Sequence, residues 1–197
     1  LFTEGKYDAS KIVALAGSEV SKPQYYKVIN GAKIESITKG NITGNNVRFI
    51  SGNVLSGTRV DASGYLSYYG SLVSVIPEGN HYEFMGWVAP GFNKFSVSRT
   101  FFSWLTPKKK YTIDTNLKGG LRALMITGSF EKVFPFDIFP MQLIKAVIIE
   151  DIDLMEKLGI YEVVEEDFAL CEFVDTSKTD IQAIVRKGLD LMLKEMS

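Results

Sequence analysis

Cysteine and histidine are almost absent from this chain, in which Cys171 and His81 are the sole residues of their types. One cysteine cannot form an internal disulfide, which fits a reducing compartment and equally a cysteine-poor exported protein. A Ser-His-Asp triad would have to use His81, but no motif serine stands next to it. We therefore expect His81 to be an ordinary histidine at the surface or at a strand end.

Long hydrophobic runs are missing as well. A membrane-spanning helix needs about 20 apolar residues, whereas the best run, Leu143 to Ile149, is interrupted by Lys145 and followed by acidic residues. The sequence therefore predicts no transmembrane helix. It begins at Leu1 rather than at methionine and has no basic segment followed by an apolar one, so we expect it to be a piece excised from a longer protein.

The chain also lacks an excess of charge of either sign. Its 197 residues carry 22 basic and 23 acidic side chains, a net charge of −1. Such a balance provides no long-range field that would steer a polyanion to the surface, so we expect no nucleic-acid partner. Hydrophobic residues make up 46% of the chain, which is enough for the core of a globular protein.

Known catalytic motifs are not found. There is no G-x-G-x-x-G after a strand, no P-loop, no G-x-S-x-G and no H-E-x-x-H. Ser129 and Lys132 match S-x-x-K, but a pattern with two fixed positions arises often by chance, and its companion motifs are absent. We therefore assign no catalytic, cofactor-binding or metal-binding residue.

An acidic stretch lies just ahead of the apolar residues 168–170. Clustered carboxylates can bind hard cations, but the residue order of a calcium-binding loop is not present. Acidic residues ahead of an apolar run are favoured electrostatically at a helix N-terminus. We therefore expect a helix start or a solvated face rather than a metal site at these residues: Glu162, Glu165, Glu166, Asp167 and Glu172.

From Lys11 to about Ser98, short apolar runs alternate with glycine, asparagine and serine, which is typical of strands and turns. The Pro-Glu-Gly-Asn sequence at 77–80 predicts a hairpin between SLVSVI and HYEFMGWVA. One short helix is expected in GAKIESITKG, because Ile34 and Ile37 are three residues apart and Gly40 follows as a C-terminal cap.

The last third of the chain has helical periodicity. FPMQLIKAVIIEDIDLMEKLGI predicts one buried-face helix from Pro140 to the stop at Gly159, and DIQAIVRKGLDLMLKEM predicts a second. Strands followed by helices favour an α+β fold over a doubly wound sheet. The boundary is least defined between Phe101 and Thr115.

Aromatic and basic residues are interleaved between Pro90 and Leu105. Phe95, Val97 and Phe101 alternate with serine and threonine, which is typical of a strand with one buried face. The same composition suits a surface that contacts a partner or stacks on a ligand. Both interpretations stay open, and the candidate surface residues are Trp87, Phe92, Lys94, Arg99 and Trp104.

Several long stretches of the sequence resemble one known family, the A subunit of the sodium-translocating NADH:quinone reductase of bacterial membranes. These stretches follow one another in the family's order, are spread over most of the chain and correspond to the C-terminal half of the family's proteins. They are FISGNVLSGT at 49–58, VSVIPEGN at 73–80, GWVAPGFNKFSVSRTFFSWL at 86–105 and LGIYEVVEEDFALCEFV at 158–174.

The resemblance implies a specific domain organisation. It predicts a β-grasp module of the soluble-ligand-binding type at 8–60 and a C-terminal helical domain at 107–197. Between them, the composition and the turn residues predict a β-rich connecting region with a hairpin at 61–106. The resemblance also implies that an upstream half is related to the NADH- and flavin-binding subunit of respiratory complex I. The whole complex uses NAD, flavin and ubiquinone, whereas the A subunit is understood to carry no cofactor of its own.

Cys171 tests the idea of a lost iron–sulfur site. The related complex I subunit ligates a cluster through several cysteines, and members of the resembled family commonly have a second cysteine four residues after the first. In this chain that position is Asp175. Because a cluster takes four cysteine ligands, we expect Cys171 to be a small buried hydrophobic residue on a helix.

Three functions follow from these observations. The first is a non-catalytic structural part of a peripheral subunit, on the cytoplasmic side of the bacterial inner membrane, docked on membrane subunits. The second is a module that binds a quinone or another small molecule near Trp87 and Phe92. The third is a cluster-binding redox protein. Independently of these, the lysines at 108–110 could contact anionic lipid headgroups or be solvated.

Overall fold

The strand-rich and helix-rich parts of the sequence form two compact units. The structure is a computed structural model and describes residues 2–196. It divides the chain into two units, one up to Asn116 and one from Leu117 onward. The α+β fold class predicted from the order of strands and helices is confirmed.

A mixed sheet forms the centre of the first unit. Its strands run in the order β2-β1-β5-β3-β4, with β1 parallel to β5 and every other neighbouring pair antiparallel. The strands of this sheet are β1 Ser10–Ala16, β2 Gln24–Ile29, β3 Val47–Ser51, β4 Thr58–Val60 and β5 Leu72–Pro77. The neighbouring strands β1 and β5 therefore come from opposite ends of the segment that builds the sheet.

One face of the sheet and one short helix bury the core of this unit. Val13 and Leu15 on β1 alternate with more exposed residues and pack with Val73 and Val75 of β5. The expected helix is present as α1, Ile34–Thr38, with Ile34 and Ile37 buried in the same core. Gly40 follows in the left-handed conformation at φ 73°, as predicted for its C-terminal cap.

The hairpin predicted at 77–80 is wrong. Strand β5 ends at Pro77 and pairs with β1 and β3, as in Leu15 opposite Val73 and Ser51 opposite Val73. The residues HYEFMGWVA after the turn form no strand. The sheet thus includes 72–77, beyond the predicted module at 8–60, and the chain leaves the sheet where the proline ends β5.

Glycine at position 17 is required by the close approach of two strands. A β-carbon at Gly17 would collide with the backbone of Val75, and the residue has φ 133°, which L-residues with side chains rarely adopt. The turn after β1 can therefore pass directly against β5.

Helices of six to fifteen residues build the second unit around an apolar core. They are α2 Pro140–Ile148, α3 Ile152–Lys157, α4 Ala169–Val174 and α5 Ile181–Glu195. The core includes Phe130, Met141, Ile144, Phe168 and Val185, each nearly inaccessible to solvent. The helix predicted at 181–195 is confirmed as α5, with Asp180 capping its start by accepting the Ala183 N–H at 3.3 Å.

The single helix predicted from Pro140 to Gly159 is wrong, because it is broken in the middle. Glu150 adopts a left-handed φ of 58°, and the Asp151 side chain accepts the Leu154 N–H at 3.0 Å to begin a new helix, α3. The predicted ends are present: Pro140 opens α2, and Gly159 stops α3 with φ 87°. The break turns the chain so that Met141, Ile144 and Met155 reach one core.

Candidate interaction surface

Residues 82–111 of the first unit form an irregular segment of consecutive turns with exposed aromatic side chains. Trp87 is 78% exposed, Phe92 59% and Trp104 52%. The alternating strand that was one interpretation of 95–101 is not present; Phe95 and Val97 are both more than half exposed. Their serine neighbours bond to one another instead, with Ser96, Ser98 and Thr100 linked through hydroxyl contacts of 3.1 and 2.6 Å.

Ser103 holds the segment together from inside. It is buried, at 4% exposure, in the 3-10 helix Phe102–Leu105. Its hydroxyl donates to the Lys94 carbonyl at 2.6 Å, and its own carbonyl accepts the Tyr111 hydroxyl at 3.3 Å. With Ser103 facing inward, its neighbours Phe102, Trp104 and Leu105 are left more than half exposed.

Lys94 has a structural role in the segment. Its Nζ lies 2.5 Å from Glu83 Oε2, donates to the Gly86 carbonyl at 2.5 Å and lies 5.4 Å from the centre of the Phe101 ring. The side chain is only 20% exposed. The lysine therefore fixes the loop around Gly86, directly before Trp87, and Trp87 remains exposed beside it.

Contacts between distant parts of the segment place further side chains beside Phe92 and Phe95. The Phe92 and Phe102 ring centres lie 5.9 Å apart, and Phe95 meets Tyr111 at 5.6 Å. Lys109 donates to the Phe92 carbonyl at 3.1 Å and to the Asn93 side chain. The sequence alone does not place Phe102 and Lys109 beside Phe92, because these residues meet only through this folding of the chain.

Arg99 lies at an unusual backbone position. It is exposed and adopts φ 56°, with its N–H donating to the Ser96 carbonyl at 3.3 Å. The structure therefore leaves Trp87, Phe92, Arg99 and Trp104 accessible, with Lys94 engaged beneath them. We call these five residues the aromatic surface.

His81 lies at the surface, as predicted. Its side chain is 71% exposed, and its Nε2 lies 3.9 Å from an Asp114 carboxylate oxygen. Ser129, of the S-x-x-K match, shares a 2.6 Å hydroxyl contact with Thr127. Among the described residues, the contacts of His81 and of Ser129 do not form a nucleophile–base pair.

Cys171 is a buried core residue, which confirms its interpretation as a small hydrophobic side chain. It is inaccessible to solvent on α4, and its Sγ lies 4.0 Å from the Phe130 carbonyl. Burial raises the pKa of the thiol to about 12, with the charge of Glu131 adding to the effect. At neutral pH the side chain is therefore a thiol and not the thiolate that binds metals.

The acidic stretch begins a helix, as predicted. Glu165 to Asp167 lie in the first turn of the 3-10 helix Glu165–Phe168, which leads into α4. Asp167 accepts the Val164 N–H at 2.9 Å, and Glu165 pairs with Arg186 on α5. Within residues 2–196, no group of three or more histidine, cysteine, aspartate or glutamate side chains is arranged to hold a metal ion.

None of the helices described between residues 2 and 196 is both long and apolar enough to cross a bilayer.

Comparison with known proteins gives matches along almost the entire chain. Residues 12–62 match the model of a family described as the NQRA C-terminal domain. Proteins named as the A subunit of Na(+)-translocating NADH-quinone reductase match from Hahella chejuensis, at 39% identity over 99% of this chain, and from Rhodopirellula baltica, at 40% over 97%. The protein of that name from Pasteurella multocida is 40% identical over 99%.

The chain spans less than half the length of these relatives, since the matches cover 44%, 42% and 44% of them. The matched family model concerns their C-terminal domain. The family resemblance seen in the sequence is thus confirmed: residues 12–62 match the NQRA C-terminal domain, and the chain as a whole is similar to the C-terminal half of the A subunits of Na(+)-translocating NADH-quinone reductase.

Proposed function

We propose that this chain is a non-catalytic structural part of the peripheral A subunit of a sodium-translocating NADH-quinone reductase complex. It docks on membrane subunits of that complex, on the cytoplasmic side of the bacterial inner membrane. Its similarity to proteins named as the A subunit of such a reductase supports the assignment. NAD, flavin and ubiquinone are used elsewhere in the complex, and this part of the chain carries none of them.

The exposure of the aromatic surface is the observation that supports docking. Trp87 and Trp104, the two tryptophans of the chain, are both more than half exposed in one segment with Phe92. Tryptophan, tyrosine and arginine dominate the binding energy of protein interfaces. Exposing several large aromatic rings together is unfavourable in water and marks an interaction site.

Preorganisation of the segment supports the same proposal. The contacts of Lys94 and Ser103 fix the backbone on either side of Phe95, so the aromatic residues are held in place although the segment has little regular secondary structure besides the 3-10 helix Phe102–Leu105. A surface that is ordered before binding loses less conformational entropy when the partner arrives. The aromatic surface therefore suits a lasting contact within a complex.

We further propose that the first unit is a β-grasp module of the soluble-ligand-binding type. The strand order β2-β1-β5-β3-β4, the parallel pairing of β1 with β5, and helix α1 between β2 and β3 support this assignment. The module then extends to β5, with the connecting region and the helical domain following it. In this role the sheet is a scaffold for the irregular segment 82–111, which carries the aromatic surface.

Co-purification from the host tests the docking proposal. The chain is tagged, membranes are solubilised gently, and the eluate is assayed for the other subunits and for sodium-stimulated NADH:quinone reductase activity. We expect both to be recovered. Because exposed tryptophan anchors contribute about 2 kcal/mol or more, the double variant Trp87→Ala, Phe92→Ala should recover less than about a tenth as much.

Tyr25 on β2 provides the matched control, since it is 79% exposed and lies outside the aromatic segment. The Tyr25→Ala chain should co-purify with the partners as well as the unmodified chain does. A folded chain that emerges without partners, or an equal loss for both variants, would contradict docking through the aromatic surface.

A quinone-binding module is the second candidate, and the aromatic rings of Trp87 and Phe92 are the observation that favours it. Small-molecule sites, however, bury about 70–90% of the ligand surface, and both rings are largely exposed. Titration with a water-soluble quinone analogue decides the matter. Saturable binding that is lost in Trp87→Ala and kept in Tyr25→Ala would favour this function, and a flat titration would exclude it.

A further inference from the structure

The charge of the chain is distributed unevenly, although its total is close to zero. Residues 82–110 carry five basic side chains and one acidic side chain, a local net charge of +4. The remaining residues carry 17 basic and 22 acidic side chains, a net charge of −5. The one acidic residue of the segment, Glu83, is paired with Lys94. The exposed aromatic segment is therefore locally cationic.

Two consecutive turns join apolar and cationic side chains at the end of this segment. The 3-10 helix Phe102–Leu105 closes with the Thr106 N–H donating to the Ser103 carbonyl at 3.1 Å. The Lys109 N–H then donates to the Thr106 carbonyl at 3.0 Å, which closes a turn with Pro107 at its second position. Only one turn therefore separates the exposed Trp104–Leu105 pair from the lysines at 108–110.

Both kinds of side chain are accessible in this structure. Trp104 is 52% exposed and Leu105 57%, and all three lysines are exposed. Lys109 also bonds to the Phe92 carbonyl, so its ammonium group is held at the margin of the apolar surface. An indole ring and an aliphatic side chain beside several lysines combine the features by which proteins bind the interface of an anionic membrane.

We propose that Trp104, Leu105, Lys108, Lys109 and Lys110 form a lipid-contact surface for a bilayer containing anionic headgroups. Trp104 and Leu105 enter the headgroup region, and the three lysines lie over the lipid phosphates. The charge of residues 82–110 favours a bilayer as the partner, because a net charge of +4 is complementary to an anionic leaflet. Binding to an apolar groove of a protein would not require this positive charge. The inference goes beyond the proposed docking on subunits and does not depend on it: docking is tested at Trp87 and Phe92, and Trp104 is assigned here to lipid.

Vesicle sedimentation tests this surface without any protein partner. The purified chain is mixed with vesicles of phosphatidylcholine alone or with about 30% phosphatidylglycerol, which supplies the anionic headgroups. We expect binding to the anionic vesicles only, weakening as salt is raised. Replacing all three lysines by glutamine should weaken the partition roughly a hundredfold, since each contributes about a fivefold effect near an anionic surface.

A charge-matched variant separates a defined surface from a general effect of charge. Lys27, Lys39 and Lys132 are lysines outside the segment, and replacing all three by glutamine lowers the net charge equally. This control should retain vesicle binding. Equal losses in the two triple variants, or no binding to anionic vesicles, would overturn the proposal.

Insertion of Trp104 is measured separately by fluorescence. In a Trp87→Phe chain, Trp104 is the sole tryptophan. Its emission should shift to shorter wavelength with anionic vesicles and be quenched by brominated lipid, and an unchanged spectrum would overturn its insertion.

A chain that recovers the membrane subunits but does not bind vesicles would contradict the lipid surface alone. A chain that binds vesicles but recovers no subunits contradicts docking alone.

Discussion

Gly188 on α5 lies directly against Val147 on α2. A β-carbon built at Gly188 would be 2.7 Å from Cγ2 of Val147, closer than real carbon atoms approach. Val147 is almost completely buried, and its branched side chain has little freedom to move aside. The two helices therefore meet at this point because position 188 has no side chain.

We expect Gly188→Ala to lower the free energy of unfolding by about 1 kcal/mol. The change gains about 1 kcal/mol in helix propensity, but forcing a methyl group into a packed core costs roughly 1–3 kcal/mol. Urea denaturation followed by circular dichroism measures the balance. In a chain that already carries Val147→Ala, Gly188→Ala should cause no such decrease in the free energy of unfolding, because the smaller side chain at 147 leaves room for the added methyl group. A stabilised single variant would contradict the close approach.

Arg48 and Glu78 form a second testable pair, in the first unit. The Arg48 guanidinium donates to both carboxylate oxygens of Glu78, with the Nε contact at 2.9 Å, and the Thr115 hydroxyl donates at 3.2 Å. These bonds, chiefly those from Arg48, lower the pKa of Glu78 below its ordinary value of 4.5. The pair thus connects β3 with the end of β5.

A lowered carboxyl pKa stabilises the fold above the unfolded pKa and ceases to do so as the pH falls through the folded pKa. At pH 7 we expect Glu78→Gln to lower the free energy of unfolding by about 1 kcal/mol. The difference from the unmodified chain should disappear as the pH falls below 4.5, through the lowered pKa. Denaturation curves at several pH values measure this.

Glu35→Gln is the control for this experiment. Glu35 also pairs with a basic residue, Lys33 at 2.9 Å, but its side chain is 60% exposed. Exposed pairs contribute little to stability. If the two glutamine variants showed the same dependence on pH, the special role of the Arg48 pair would be disproved.

The helices α1 and α5 could be predicted from sequence because their signals are local. The spacing of Ile34 and Ile37 and the left-handed Gly40 lie within one short stretch. The break between α2 and α3 was missed because apolar residues continue up to Ile149. The signal that could have revealed it is Asp151, a residue favoured at helix starts.

The partners of β5 could not be predicted from sequence in the same way. A proline and a glycine after β5 favour a hairpin locally, but the strand pairs with Ala14 on β1 and with Ser51 on β3. Pairings between such distant residues leave no periodic signal in a single sequence.

For the aromatic surface, composition identified Trp87 and Phe92, whereas the roles of Lys94 and Ser103 depend on contacts that only the folded chain makes.

Burial should make the Cys171 thiol unreactive in the folded chain. Its pKa is raised to about 12 by burial and by Glu131, so almost none of it is thiolate at pH 8. With Ellman's reagent we expect no colour from the native protein and one thiol per chain in urea. Rapid reaction of the folded chain would show that α4 opens or that the thiol is accessible.

Asp175 fixes the loop that leads into α5. Its buried carboxylate, 3% exposed, accepts the Ser177 N–H at 3.0 Å and the Thr179 N–H at 2.8 Å. The Ser177 hydroxyl then donates to the Ala123 carbonyl at 3.0 Å, and the Ser177 carbonyl accepts the Arg122 N–H at 2.9 Å. The carboxylate therefore orders a loop that also holds the chain at 122–123.

Asp175→Ala should lower the free energy of unfolding by about 2–4 kcal/mol, because two backbone N–H groups lose their acceptor in a buried place. Asp175→Asn keeps one acceptor oxygen and should lose about half as much. Asp180→Ala, which removes the exposed N-terminal cap of α5, should lose only about 1 kcal/mol. Urea denaturation ranks the three variants, and an Asp175→Ala chain no less stable than Asp180→Ala would show that water replaces the carboxylate in the loop.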